Sequence, residues 1–126
     1  MKTIFMEQKN SISQRLLELI DLAGPNFAHE LIELFFIVSR KDFEIMKSAV
    51  QESNAVKFSG AAHSLKASSL NLGATALGEM CRRAEAFKVF TSTTEANELL
   101  QNLEMELIAV ESLLGTYIKE THTSAS

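Results

Sequence analysis

Apolar residues recur along this chain at intervals of three and four, the spacing of one helix face, and nowhere in the strict alternation of a half-buried strand. The most sustained stripe comes last: Ala96, Leu99, Leu103, Leu107, Val110, Leu114 and Tyr117, the seam of a bundle helix. Ser92 and Glu95 ahead of it form a capping-box pattern. A second stripe of Leu31, Leu34, Phe35, Val38, Phe43, Met46 and Val50 predicts a helix over about residues 27–52, with any bend placed near Ser39–Arg40. Gly24-Pro25-Asn26 divides that helix from a short first one, which a Ser11/Gln14 capping box opens and which carries Leu16, Leu17 and Ile20. Asn26 is the expected cap of the second helix. Asn54 caps a third helix that ends at Gly73, and a fourth carries Leu77, Met80, Cys81, Ala84 and Phe87.

Four substantial amphipathic helices with short connections imply an all-α protein: an antiparallel up-down four-helix bundle with an additional short N-terminal helix on its end or side. The length of 126 residues suits a single domain over 1–126. Its helical core is expected at about 11–119, between an N-terminal lead over 1–10 and a flexible tail over 120–126.

Composition and charge narrow the function classes. The net charge of −4 and the lack of any Lys/Arg run argue against nucleic-acid binding. Cys81 stands alone and cannot form an internal disulfide, which points to a reducing compartment. The N-terminus breaks into charge before a signal-peptide core develops. The run Leu31 to Val38 is interrupted by Glu33 and too short to span a bilayer. A cytoplasmic domain without membrane insertion, working as a monomer, is the expectation.

The chemistry centres on His63. On a helical wheel Phe58, Ala62, Leu65, Ser69 and Leu72 fall within an arc of about 80° and define the core face, while His63 points about 140° away from its centre. Gly60 and Ala67 lie on the outer side, one turn below and one above, so the imidazole is expected in the open between small residues. Gly60 weakens a helix interior by roughly 0.5–1 kcal/mol relative to Ala, which suggests that clearance is needed there. Lys66 is close enough to share a bound anion with the ring, and Leu70 adds apolar surface for a docking partner.

The turn at Gly73-Ala74 supplies a partner for the ring. His63 lies ten residues before Gly73 and Glu85 twelve after it, so antiparallel helices bring the two to nearly the same height. A carboxylate accepting from Nδ1–H would set the tautomer, raise the basicity of the imidazole and leave Nε2 as a nucleophile. Glu85 is the expected orienting residue.

The segment HSLKASSLNLGATALGEMCRRAE, His63 to Glu85, resembles the signature of histidine-containing phosphotransfer (HPt) domains of two-component phosphorelays. His63, Leu65, Lys66, Ser68, Gly73-Ala74, Leu77, Cys81 and Glu85 stand at the family's spacing. The resemblance implies an all-α bundle with phosphoacceptor His63, and Lys66 neutralising phosphate oxygens. It implies receiver domains or a histidine kinase as partners, no cofactor bound by this chain, and Mg²⁺ held by the partner receiver. It also implies a phosphocarrier without kinase activity of its own. Ala67 occupies a position that is usually Gly in the family; the extra methyl is expected to alter partner preference rather than abolish docking.

Plainer readings exist for each residue. Gly73 is accounted for as a helix C-cap, Cys81 as a core thiol, Arg82 and Arg83 as partners of Glu79, and Ser68 and Ser69 as donors to their own helix. His29-Glu30-Leu31-Ile32-Glu33 is half of a zinc-protease helix with Glu33 where the second His would stand, so metal hydrolysis is the weaker alternative. The stronger one is a non-catalytic helical adaptor that binds receivers without transferring phosphate.

Overall fold

The computed structural model describes residues 4–125, with side chains over 6–120, and every element among them is helical. The helices are α1 (Ile4–Ala23), α2 (Pro25–Gln51), α3 (Ala55–Asn71), α4 (Thr75–Glu85) and α5 (Thr94–Ala125). The pairing of side chains shows the up-down order. Asp42 meets Ser64 and Ser48 meets Lys57 between α2 and α3, so these run antiparallel. Arg40 reaches Glu111 and Glu104 of α5, while Gln51 lies near Asn97, so α5 returns antiparallel to α2 and closes the bundle. Ile32, Phe43, Met46, Phe58, Leu65, Leu77, Leu103, Leu107 and Leu114 are fully buried between the four, as the three-four spacing requires.

The N-terminal helix departs most from expectation. α1 has 20 residues, starts well before Ser11 and packs against α2 and α4. Gln8, expected in the N-terminal lead outside the helical core, is almost fully buried, and its side-chain oxygen accepts from the N–H groups of Ala76 (3.0 Å) and Leu77 (3.1 Å). It thereby caps α4, whose own N-cap residue Ala74 has no side-chain acceptor. Arg15 Nε donates to the Asn71 carbonyl at the end of α3 (2.9 Å). The Ser11/Gln14 box is overridden because α1 gains these contacts with the α3–α4 turn only by extending across it.

Other boundaries moved for local reasons. Gly24, not Asn26, is the cap position of α2; its φ of 91° suits glycine, and Pro25 follows at the first helical position. α2 passes through Ser39–Arg40 as one helix, and there the Arg40 guanidinium clips to Glu111 at 2.7 and 3.3 Å. Asn54 caps α3 as expected, accepting from Lys57 N at 3.0 Å. α4 stops at Glu85, so Phe87 belongs to the connection, where its ring meets Phe58 and Phe90 edge-on. Ser92 bonds the Thr94 N–H (3.2 Å) two residues on, instead of forming a box with Glu95. α5 continues to Ala125 through the expected tail, since no Gly or Pro follows Gly115 to stop it.

Candidate functional site

α3 and α4 present the site. The core face of α3 is as expected: Phe58, Ala62, Leu65, Ser69 and Leu72 are all buried. That commitment turns His63 outward, and 66% of its side chain is exposed. Its Nδ1 lies 2.5 Å from Glu85 Oε1, across the α3–α4 pair. The second oxygen of the same carboxylate receives Lys66 Nζ, also at 2.5 Å. Glu85 thus holds the ring and the ammonium together.

The bridge has an electrostatic consequence. The hydrogen bond from Lys66, and after it the one from His63, hold the Glu85 carboxyl below its ordinary range, so it is an anion at neutral pH. An anionic acceptor at Nδ1 favours the tautomer with the proton on Nδ1, leaving a lone pair on Nε2. Among the described residues Nε2 has no partner. Lys66 keeps two further N–H donors for an arriving anion. Its pairing with Glu85 had no signature in the helix spacing.

The expected docking residues fall on the same face. Gly60 is exposed, and the space its missing Cβ would fill is open to beyond 4 Å. Ala67 is exposed. Leu70 is half exposed, but its Cδ2 leans onto Gly78 of α4, so its apolar surface is shared between the outside and the α3–α4 seam. Leu34 was expected in the core stripe of α2 and instead is 55% exposed, with Ile37 at 68% one turn on. A shallow groove runs beside them between Leu31, Leu34 and Val38 of α2 and Ser68 and Asn71 of α3.

A further polar contact beside the site also escaped the sequence reading. Ser64, next to His63, donates to Asp42 Oδ2 at 2.6 Å, and Asp42 is only 6% exposed. A buried acid in an apolar stripe was its signal: Asp42 directly precedes Phe43. Removing the hydroxyl with Ser64→Ala leaves a buried carboxylate short of its donor, an expected loss of about 1–3 kcal/mol in urea unfolding. A loss below about 0.5 kcal/mol would mean that water replaces the hydroxyl.

The remaining candidates are structural. Burial pushes the Cys81 thiol up to about 12, which keeps it inert as a thiolate nucleophile. Arg82 pairs with Glu79 at 2.5 Å, and Ser69 donates to the Leu65 carbonyl at 2.7 Å, as expected of each. The His29 ring sits edge-on against Tyr117, and no three potential metal ligands converge among the described residues. No helix among the described residues is long and apolar enough to cross a membrane.

A helical bundle whose chemistry is one histidine, presented outward and held from behind by a carboxylate, defines the class as a surface-histidine module. Residues 30–113, from α2 into α5, match the Hpt domain family, and the chain belongs to that family. Hpt domains serve histidine phosphotransfer in two-component relays, as phosphocarrier modules that work with receiver domains and kinases and generally lack kinase activity themselves. No curated protein and no solved structure gave a significant match.

Proposed function

We propose that His63 accepts a phosphoryl group on Nε2 from a receiver aspartyl phosphate or a kinase, and passes it to a receiver aspartate. The observation that carries this reading is the 2.5 Å contact of Glu85 Oε1 with Nδ1 on a ring that is otherwise two-thirds exposed. The Nε2 lone pair attacks phosphorus, the P–O bond to the donor aspartate breaks, and that carboxylate leaves with the electron pair. Nδ1 keeps its proton, so the phosphorylated ring is a cation facing Glu85. Lys66 turns its spare donors to the phosphate oxygens, and a Mg²⁺ ion held by the partner receiver would supply further charge neutralisation. Phosphoryl transfer asks little beyond such positioning and charge.

Docking uses the cleared surface around Gly60 and Ala67, with Leu70 on one flank and Leu34 and Ile37 on the other. These apolar side chains fit an apolar patch rimmed by polar groups on the receiver.

Incubation with a phosphorylated receiver tests the reading: an acid-labile, base-stable label should appear on the wild-type chain, and its absence refutes phosphotransfer. In the same assay Glu85→Gln should take label about tenfold more slowly, the rate equivalent of one charge-assisted hydrogen bond. An unchanged rate would remove Glu85 from the mechanism and leave His63 in it.

A further inference from the structure

The Glu85 carboxylate can hold His63 and Lys66 together only if the end of α4 is placed to within a fraction of an ångström, because both contacts are 2.5 Å long. Glu85 is the last residue of α4, where backbone order is ordinarily weakest. Its carbonyl lacks a helical partner: among the described residues neither Lys88 nor Val89, whose N–H groups lie three and four residues on, bonds to it. The Glu85 carbonyl oxygen takes its hydrogen bond from Ser59 Oγ, at 2.7 Å, across from α3.

Ser59 is placed for this. It lies four residues before His63, on the same side of α3 and one turn below. A serine inside a helix ordinarily bonds back to its own chain, as Ser69 does to Leu65. Ser59 bonds across to α4, so its contact ties the residue that holds the imidazole to the helix that carries it. The next residue back, Phe58, joins the other tie: its ring meets Phe87 at 5.6 Å and Phe90 at 5.4 Å, so the chain just past Glu85 is packed onto α3 as well. Burial of the aromatic trio sets where the end of α4 lies. A 2.7 Å hydrogen bond to the peptide of Glu85 also sets its rotation.

We infer that Ser59 is a positioning residue: its hydroxyl, by capping the Glu85 carbonyl, aims the Glu85 carboxylate at His63 Nδ1 and Lys66. Its effect on rate rests on the phosphotransfer reading above; its effect on the imidazole does not. Ser59→Ala and Ser59→Thr separate the two. Nitrogen NMR of the His63 ring should show the Nδ1–H tautomer dominant in wild type and in Ser59→Thr, and a mixture shifted toward Nε2–H in Ser59→Ala. Labelling from a phosphorylated receiver should slow about fivefold in Ser59→Ala, the equivalent of one ordinary hydrogen bond, and recover in Ser59→Thr. A role confined to fold stability would lower the melting temperature and leave the tautomer ratio alone. Wild-type tautomer and rate in a folded Ser59→Ala protein would overturn the inference and leave the aromatic trio to hold α4 unaided. A shifted tautomer in Ser59→Ala beside an unlabelled wild type would uphold the placement by Ser59 while refuting phosphotransfer.

Discussion

His63→Gln should abolish labelling by a phosphorylated receiver while leaving the protein folded. Glutamine offers an amide where imidazole offers a lone pair on Nε2, and an amide nitrogen does not form a stable phosphoryl bond. Two-thirds of the His63 side chain is exposed, and among the described residues its side-chain partner is Glu85, itself held by Lys66. Substitution at such a surface position should change stability by no more than about 0.5 kcal/mol. Loss of label with an unchanged melting curve therefore reports chemistry and not unfolding. Receiver binding should survive, because the proposed docking residues Gly60, Ala67, Leu70, Leu34 and Ile37 are exposed independently of the ring. Label retained on the variant would move the acceptor elsewhere. Normal signalling by it would favour an adaptor that needs only the surface.

The largest effect on stability is expected at Gly73. Its φ is 77°, the left-handed region, where a side chain costs about 1–2 kcal/mol. A Cβ added there would lie 2.6 Å from the Ser11 carbonyl oxygen and 3.0 Å from Arg15 Cβ. The first of these is backbone, so relief requires α1 to move, and with it Gln8 as cap of Ala76 and Leu77. Gly73→Ala should then cost about 3 kcal/mol in all, a fall of about 10 °C in melting temperature. Gly60 provides the contrast. It lies inside α3 with open space where its Cβ would be, so Gly60→Ala should stabilise by about 0.5–1 kcal/mol. If both alanines behaved alike, glycine flexibility rather than the approach of α1 would be the controlling factor at Gly73.

The helical stripes of α2, α3 and α5 were legible because each buries one face against the others, and a buried face imposes its period on the sequence. The site was legible for the same reason. Once Phe58, Ala62, Leu65 and Ser69 are committed inward, His63 has to point out, and the nearly equal spacing about Gly73 brings Glu85 beside it. Leu34 shows the limit: an apolar residue at helical spacing was assigned inward, but the wheel cannot distinguish a core side chain from an exposed one at the edge of a stripe. Leu34 faces out in the structure, where the groove beside Ser68 lies.

The chain by itself determined the helix faces, the outward histidine and the carboxylate at its level, since each follows from periodicity within one helix or across one short turn. Only the tertiary structure decided where α1 begins, how α4 is capped, and that Glu85 serves Lys66 and His63 at once. Gln8 meets Ala76, Arg15 meets Asn71 and Ser59 meets Glu85 between residues far apart in the chain. Such contacts depend on how packed helices are rotated and offset, and no local period in the sequence encodes that.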